Sequence, residues 1–314
     1  MTKQLLDERI RGIFGGDGST GDLFVNEPMK GHTTLRIGGP ADLYIIPHNL
    51  VSMRNLMAAL KDEHLPVMPL GGGSNVLISD EGVEGAVIAT ASFHHIELVE
   101  DHGNGVRLFA EAGTPLQKLV NFCKGRGYKG IEGLAGIPGS VGGAIRGNAG
   151  SFGYEIGRVV ESATVIGREG KFMTMEGTSL SFKYRSSAVP EGAIVLSAII
   201  RLGTDDPRDV AKRVEGFLEE KLHTQPISQW SAGCVFKNPP EAPAGKLIDQ
   251  AGCKGMARGD IEVSALHANF FVNKGSGKAS DFLALIEDVK ERVLKSSGIE
   301  LEPEIRMVGR HGDR

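Results

Sequence analysis

The sequence predicts an α+β fold in two parts, on three observations. Short apolar, β-branched runs recur between turn signals over residues 33–202, the pattern of a strand-rich domain. Two glycine clusters interrupt those runs where no regular element would continue. A helix signal at Asp206-Pro207 then opens a smaller part with longer helical patterns. Residues 31–203 would form the larger domain, residues 204–314 the smaller one, and residues 1–30 an extension in front of both.

In chain order, the extension holds one short helix and the flexible turn Gly15-Gly-Asp-Gly18. Asp42-Leu-Tyr-Ile-Ile46 reads as a strand. Asn49 is a helix N-cap, since Leu50, Met53, Leu56, Met57 and Leu60 follow at helical spacing until Pro66. Apolar runs on either side of Gly71-Gly-Gly-Ser-Asn75 complete a βαβ-like unit. Residues 95–100 and 106–112 alternate about Gly103-Asn-Gly105 as an antiparallel pair, and Thr114-Pro115 opens a helix through Cys123 ended by Gly125 or Gly127. Residues 159–166 and 193–202 are further strands.

The smaller part begins with a helix whose apolar face is Val210, Val214, Phe217, Leu218 and Leu222. A short helix over residues 245–251 follows. The final helix, capped by Ser280 and stopped at Gly298, buries Phe282, Ile286, Val289 and Val293. Residues 299–308 alternate as a strand that puts Glu300, Glu302, Glu304 and Arg306 on one face.

Composition narrows the function. Lys plus Arg number 35 against 39 Asp plus Glu, a net charge of -4, so no broad basic footprint for nucleic acid is expected. The longest apolar run, residues 192–200, is far short of the ~20 residues that span a bilayer. The N-terminal stretch lacks the apolar core of a signal peptide, so a cytoplasmic protein without a membrane partner is expected. Cys123, Cys234 and Cys253 are too scattered for a disulfide framework or a metal knuckle, and no metal site is expected. The neighbours His94 and His95 read as solvent-facing.

Eight of the twenty-one residues in 133–153 are glycine. Because glycine costs ~1 kcal/mol against alanine inside a helix, such density persists where the backbone needs positive φ or close approach. A bound cofactor is one cause, because bare backbone can hold phosphate oxygens and touch a flat ring; a long surface loop is the other. Neither cluster fits G-x-G-x-x-G or G-x-x-x-x-G-K-[ST], which leaves Rossmann and Walker sites unsupported.

Pro69-Leu-Gly-Gly-Gly-Ser-Asn75 with Asp80, and Ile137-Pro-Gly-Ser-Val-Gly-Gly143 with Asn148-Ala-Gly150, resemble the FAD-binding domain of vanillyl-alcohol-oxidase-type flavoproteins. Within that superfamily the chain resembles the UDP-N-acetylenolpyruvoylglucosamine reductases, also called UDP-N-acetylmuramate dehydrogenases, from about Thr33 to Gly309. The resemblance implies a vanillyl-alcohol-oxidase/PCMH-type FAD-binding domain of two α+β subdomains, then a smaller C-terminal α+β substrate-binding domain. It further implies non-covalent FAD, NADPH as hydride donor, and reduction of UDP-N-acetylglucosamine enolpyruvate to UDP-N-acetylmuramate in peptidoglycan synthesis, by a chain expected to be monomeric.

That reaction delivers hydride from flavin N5 to the terminal carbon of an alkene conjugated to a carboxylate. The developing enolate needs a fixed cation or acid beside it, and its other carbon needs a proton. By resemblance, Arg185 and Glu304 are the stabilising groups and Cys234 the proton donor, where many members carry serine. A guanidinium can grip a carboxylate bidentately, and an unperturbed thiol, titrating near ~8.5, yields a proton far more readily than an alcohol. Glu302 is the confusable neighbour of Glu304. For the flavin the resemblance implies Gly71, Gly72, Gly73, Ser74, Asn75 and Asp80, with Pro138, Gly139, Gly142, Gly143 and Asn148. For the substrate it implies Lys237, Asn238, His267 and Asn269, without the tyrosine-bearing insertion of the family's other subgroup. The rival readings are a flavin-dependent sugar or alcohol oxidase of the same superfamily and a non-catalytic flavin-binding protein.

Overall fold

The structure, a computed structural model, describes residues 3–14 and 18–310, with side chains from Glu8 onward. Residues 15–17 of the expected Gly15–Gly18 turn lie outside them. The chain divides into two units. Unit 1 comprises Met1–Asn26, Leu43–Gly72 and Gly85–Glu219; unit 2 comprises Glu27–Asp42, Gly73–Glu84 and Glu220–Arg314. A boundary at residue 203 falls inside unit 1, because Val210 and Val214 at the start of the helix Pro207–Thr224 are buried in that unit's main core. Two early segments also fold with the C-terminal part, an exchange that a single linear boundary cannot express.

Unit 1 is built on two sheets. The smaller runs Gly21–Pro28, Pro40–Pro47, Val83–Ala89, Val67–Leu70, with the last two parallel. Its helix Leu50–Asp62 starts at Asn49 with a full capping box, Asn49 and Ser52 bonding each other's backbone, and buries Met53, Leu56, Met57 and Leu60. The larger sheet runs Phe172–Glu176, Val160–Ile166, Ile194–Thr204, Gly105–Glu111, Ile96–Asp101, with Tyr128–Lys129 also paired to Ile194–Thr204. The last pair in that order is the antiparallel hairpin expected from its alternation. Strand Phe172–Glu176 has no counterpart in the sequence reading: its exposed Phe172 and Met173 break the in–out alternation.

Unit 2 holds the antiparallel sheet Trp230–Cys234, Phe270–Asn273, Ile261–Val263, Ala257–Arg258. Against it the helix Ala279–Ser297 buries Phe282, Ile286, Val289 and Val293, and Gly298 ends the helix at φ 72 with its N–H on Leu294 O. Removing a phenylalanine of that size from water is worth about 1.5–3 kcal/mol. Three expectations are corrected here. Val76–Ile78 pairs in parallel with Arg306–Val308 rather than completing a βαβ unit, and only that stretch of residues 299–308 is regular strand. Leu222 is exposed while its neighbour Lys221 is buried, because Lys221, seven residues after Val214, continues the inward row. The helix cap is Asp80, not Ser280: its carboxylate accepts from Ala279 N (2.8 Å), Ser280 N (3.0 Å) and Ser280 Oγ (2.8 Å).

Candidate active site

In unit 1 the two glycine clusters meet. A Cβ on Gly72 would lie 2.6 Å from Gly139 Cα, which excludes any side chain there, and one on Gly71, 2.3 Å from Ser140 Oγ, would push that hydroxyl aside. Yet Gly71 and Gly72 remain exposed on their other side. The result is a seam of bare backbone, which suits a phosphate or flat ring that peptide groups must approach closely. FAD fits such a seam, with Gly71, Gly72 and Gly139 as its walls and exposed Pro138 beside them.

The stretch 133–153 is not wholly irregular, contrary to its composition. Val141–Arg146 is a helix capped by Ser140, and Gly142 is required in it because a Cβ would lie 2.8 Å from Ala112 Cβ. Its opening N–H groups are spent internally: Val141 on Thr114 O (2.9 Å), Gly142 on Ala112 O (2.8 Å) and Gly143 on Ser140 Oγ (3.4 Å). Gly142 and Gly143 therefore serve packing and capping.

Asn148, also buried, supports another predicted residue. Its Nδ2 donates to Lys183 O (3.0 Å) and its Oδ1 accepts from Gly157 N (3.1 Å). Lys183 and Ser186 close a two-residue loop by reciprocal backbone bonds of 3.0 and 3.1 Å, with Tyr184 and Arg185 at its tip. Arg185 adopts φ 55, uncommon for a residue with a Cβ. Its guanidinium lies 5.0 Å from the Tyr184 ring centroid and donates to Gly150 O at 3.4 Å. The glycine-rich stretch thus braces the arginine loop.

In unit 2 the other candidates gather along one backbone rail. Strand Trp230–Cys234 carries a bulge between Ser231 and Cys234, with Gly233 at φ 78. Just past it, Val235 O accepts from Glu304 N (2.7 Å), Phe236 bridges Pro303, and Lys237 N donates to Glu302 O (2.9 Å). Half-buried Cys234 and half-buried Glu304 therefore sit on adjoining backbone. Glu302 is separated from Glu304 by environment: it is exposed and ion-paired to Lys237.

Asn75 ties the end of the glycine turn to the same rail, its Nδ2 donating to Glu304 O (3.2 Å) and its O accepting from Arg306 N (3.2 Å). Gly73, at φ 60, has no room for a side chain, since a Cβ would meet His32 O at 2.0 Å; Ser74 between them is half-buried. Asn238 Oδ1 accepts from Ala244 N (2.9 Å) at the start of the helix Ala244–Gln250. Burial holds His267 below the usual imidazole range, and its Nδ1 accepts from Asn269 N at 3.3 Å. The Asn269 amide clamps Phe236 from both ends, accepting from N (2.9 Å) and donating to O (2.8 Å).

Sequence reasoning misses Lys221, whose amine burial pushes down to about 8; its place on the apolar stripe was the available signal. Burial drives the Cys123 thiol up to about 12 and also raises that of Cys253, as suits core cysteines.

Residues 225–308 match the family described as UDP-N-acetylenolpyruvoylglucosamine reductase, C-terminal domain, and residues 41–176 match an FAD binding domain. A reductase of that name from Geotalea uraniireducens is 41% identical over 289 residues, covering 92% of this chain and 95% of its own length. The chain belongs to the UDP-N-acetylenolpyruvoylglucosamine reductase family. The Rubrobacter xylanophilus reductase is 40% identical over 300 residues, 93% of this chain and 99% of its own. A crystal structure of the Thermus caldophilus reductase superimposes with a TM-score of 0.79 at 34% identity, over 92% of this chain and 98% of that one. A berberine-bridge-enzyme-like protein from Physcomitrella patens, 13% identical with a TM-score of 0.50 over 94% of this chain and 61% of its own, shares the fold alone. This family member is thus an FAD-binding oxidoreductase of peptidoglycan precursor synthesis, with the PCMH-type fold and a C-terminal domain of the reductase type. Among the described residues no helix is long and apolar enough to cross a membrane.

Proposed function

We propose that this reductase converts UDP-N-acetylglucosamine enolpyruvate to UDP-N-acetylmuramate with NADPH as electron source, as a cytoplasmic monomer with non-covalent FAD. FAD, when bound, supplies the hydride that the alkene's terminal carbon receives. The chain's own residues handle charge and proton. Arg185, on its braced loop, binds the substrate carboxylate and offsets the enolate charge, a task suited to a planar guanidinium that stays charged. Cys234 gives its proton to the neighbouring carbon, and Glu304, acting as a protonated carboxyl, donates a hydrogen bond to the enolate as that charge develops. Gly71–Asn75 holds the coenzyme's phosphates, with Pro138 and Gly139 alongside. Lys237, Asn238 and His267 line the substrate's path.

The observation that carries this reading is the 2.7 Å bond from Glu304 N to Val235 O, which fastens the acid-bearing segment beside the thiol-bearing strand. Rapid mixing tests it. NADPH should bleach the bound flavin, and the enolpyruvyl sugar should restore its colour. Cys234→Ala should keep the bleaching and slow the restoration by roughly 10²–10⁴-fold, the usual worth of a general acid, while Cys234→Ser retains partial turnover. Fast reoxidation by air with no response to the sugar would make the protein an oxidase. A preparation that retains no FAD would reduce it to a protein without redox work.

A further inference from the structure

The bulge after Ser231 creates a local shortage of partners. Beyond Cys234 the regular pairing to Phe270–Asn273 has ended, yet Phe236 is 1% exposed, so its peptide groups need partners inside the protein. Each buried group left unpaired would cost about 1–3 kcal/mol. Asn269, itself 2% exposed, meets both needs with one side chain, accepting from Phe236 N at 2.9 Å and donating to Phe236 O at 2.8 Å. A carboxamide can accept and donate at once, whereas a carboxylate can only accept and a hydroxyl is too short to span both sites. The Asn269 main chain adds a third bond, from Val235 N to Asn269 O at 2.8 Å. These three bonds fix the peptides on both sides of Val235, whose own O holds Glu304 N.

We propose that Asn269 is a positioning residue: through the Phe236 peptide it sets the register of Cys234 against Glu304, acting on the reaction without touching the substrate. The proposal rests on the reading that those two side chains serve one reaction. It replaces the direct substrate contact that the family resemblance implies for Asn269.

The test uses the FAD-loaded protein and the near-isosteric Asn269→Asp, which keeps the acceptor and loses the donor, with Asn269→Ser as the neutral companion should the buried charge prevent folding. Two readouts are compared in whichever variant melts cooperatively. The first is alkylation of Cys234 by iodoacetamide across pH, which needs no substrate; Cys234 is half-buried while Cys123 and Cys253 are fully buried. Its midpoint should move by about half a pH unit or more as the thiol's surroundings change. The second is steady-state turnover of the enolpyruvyl sugar. A misplacement on the order of 1 Å should lower kcat about 10²-fold while KM stays within about threefold. An unchanged alkylation profile with unchanged kcat overturns the proposal, and so does a raised KM at wild-type kcat, which would return Asn269 to substrate contact. Absence of sugar turnover in the wild-type protein refutes the functional reading instead, and the alkylation profile still judges the clamp.

Discussion

Replacing Asp80 by alanine removes a cap supplied from 199 residues away along the chain to Ala279. Three donors lose their acceptor at once: Ala279 N, Ser280 N and Ser280 Oγ, at 2.8, 3.0 and 2.8 Å. Losing a capping side chain costs about 1 kcal/mol, and removing a negative charge from a helix N-terminus adds roughly 0.3–1 kcal/mol. A total of about 1.5–2 kcal/mol is expected, measured as the loss of unfolding free energy in urea at pH 7 and as faster amide exchange at Ala279 and Ser280. Acid supplies an internal control. Burial works to raise the Asp80 carboxyl, but the bonds from Ser280 and Ala279, with Lys278 nearby, bring it below its ordinary 3.8. A depressed carboxyl contributes stability above its unfolded value that disappears as pH falls through the folded one. The wild-type advantage should therefore be complete at neutral pH, begin to shrink near about pH 4 and go on falling as acid carries the pH through the lower folded value. A loss under about 0.5 kcal/mol, together with FAD affinity reduced more than about tenfold, would refute the capping argument and return Asp80 to the cofactor.

Two further outcomes are expected. Phe282→Ala should destabilise unit 2 by about 3–5 kcal/mol, because the ring is fully buried between the helix and the sheet; urea unfolding checks it, and a cost under about 1 kcal/mol would contradict the packing. Lys221→Met should remove a pH dependence of stability: with the buried amine depressed to about 8, the wild-type protein gains relative to the variant as pH rises from 8 toward its ordinary 10.5, and a flat difference across that window would contradict the burial.

Local signals were legible. Asn49 and Ser52 form the capping box at the expected helix start, the hairpin about Gly103 pairs as alternation requires, and Phe282 to Val293 face the core at helical spacing. Partners distant in sequence were not. Nothing near Ser280 reveals that Asp80 will cap it, and nothing near Val76 reveals its pairing with Arg306, since a strand's own pattern specifies a face but not a neighbour. The glycines carried a subtler ambiguity. Composition marks them as places of close approach, but at Gly142 the approaching atom belongs to Ala112, and at Gly133 a Cβ would meet Tyr154 Cδ2 at 2.4 Å. The candidate catalytic trio came from family resemblance. Alternation alone could not have separated Glu304 from Glu302, because residues two apart on a strand share a face.

The parallel pair of Val76–Ile78 with Arg306–Val308 has a consequence for biosynthesis. A ribosome releases the chain from its N-terminus onward, so the earlier strand must wait for nearly the whole remaining polypeptide before its partner emerges. Closing so long a loop is slow, and meanwhile the edge of Val76–Ile78 stays open to intermolecular pairing. A nascent product stopped short of Arg306 would lack the partner strand of Val76–Ile78 and should depend on chaperones to remain unaggregated.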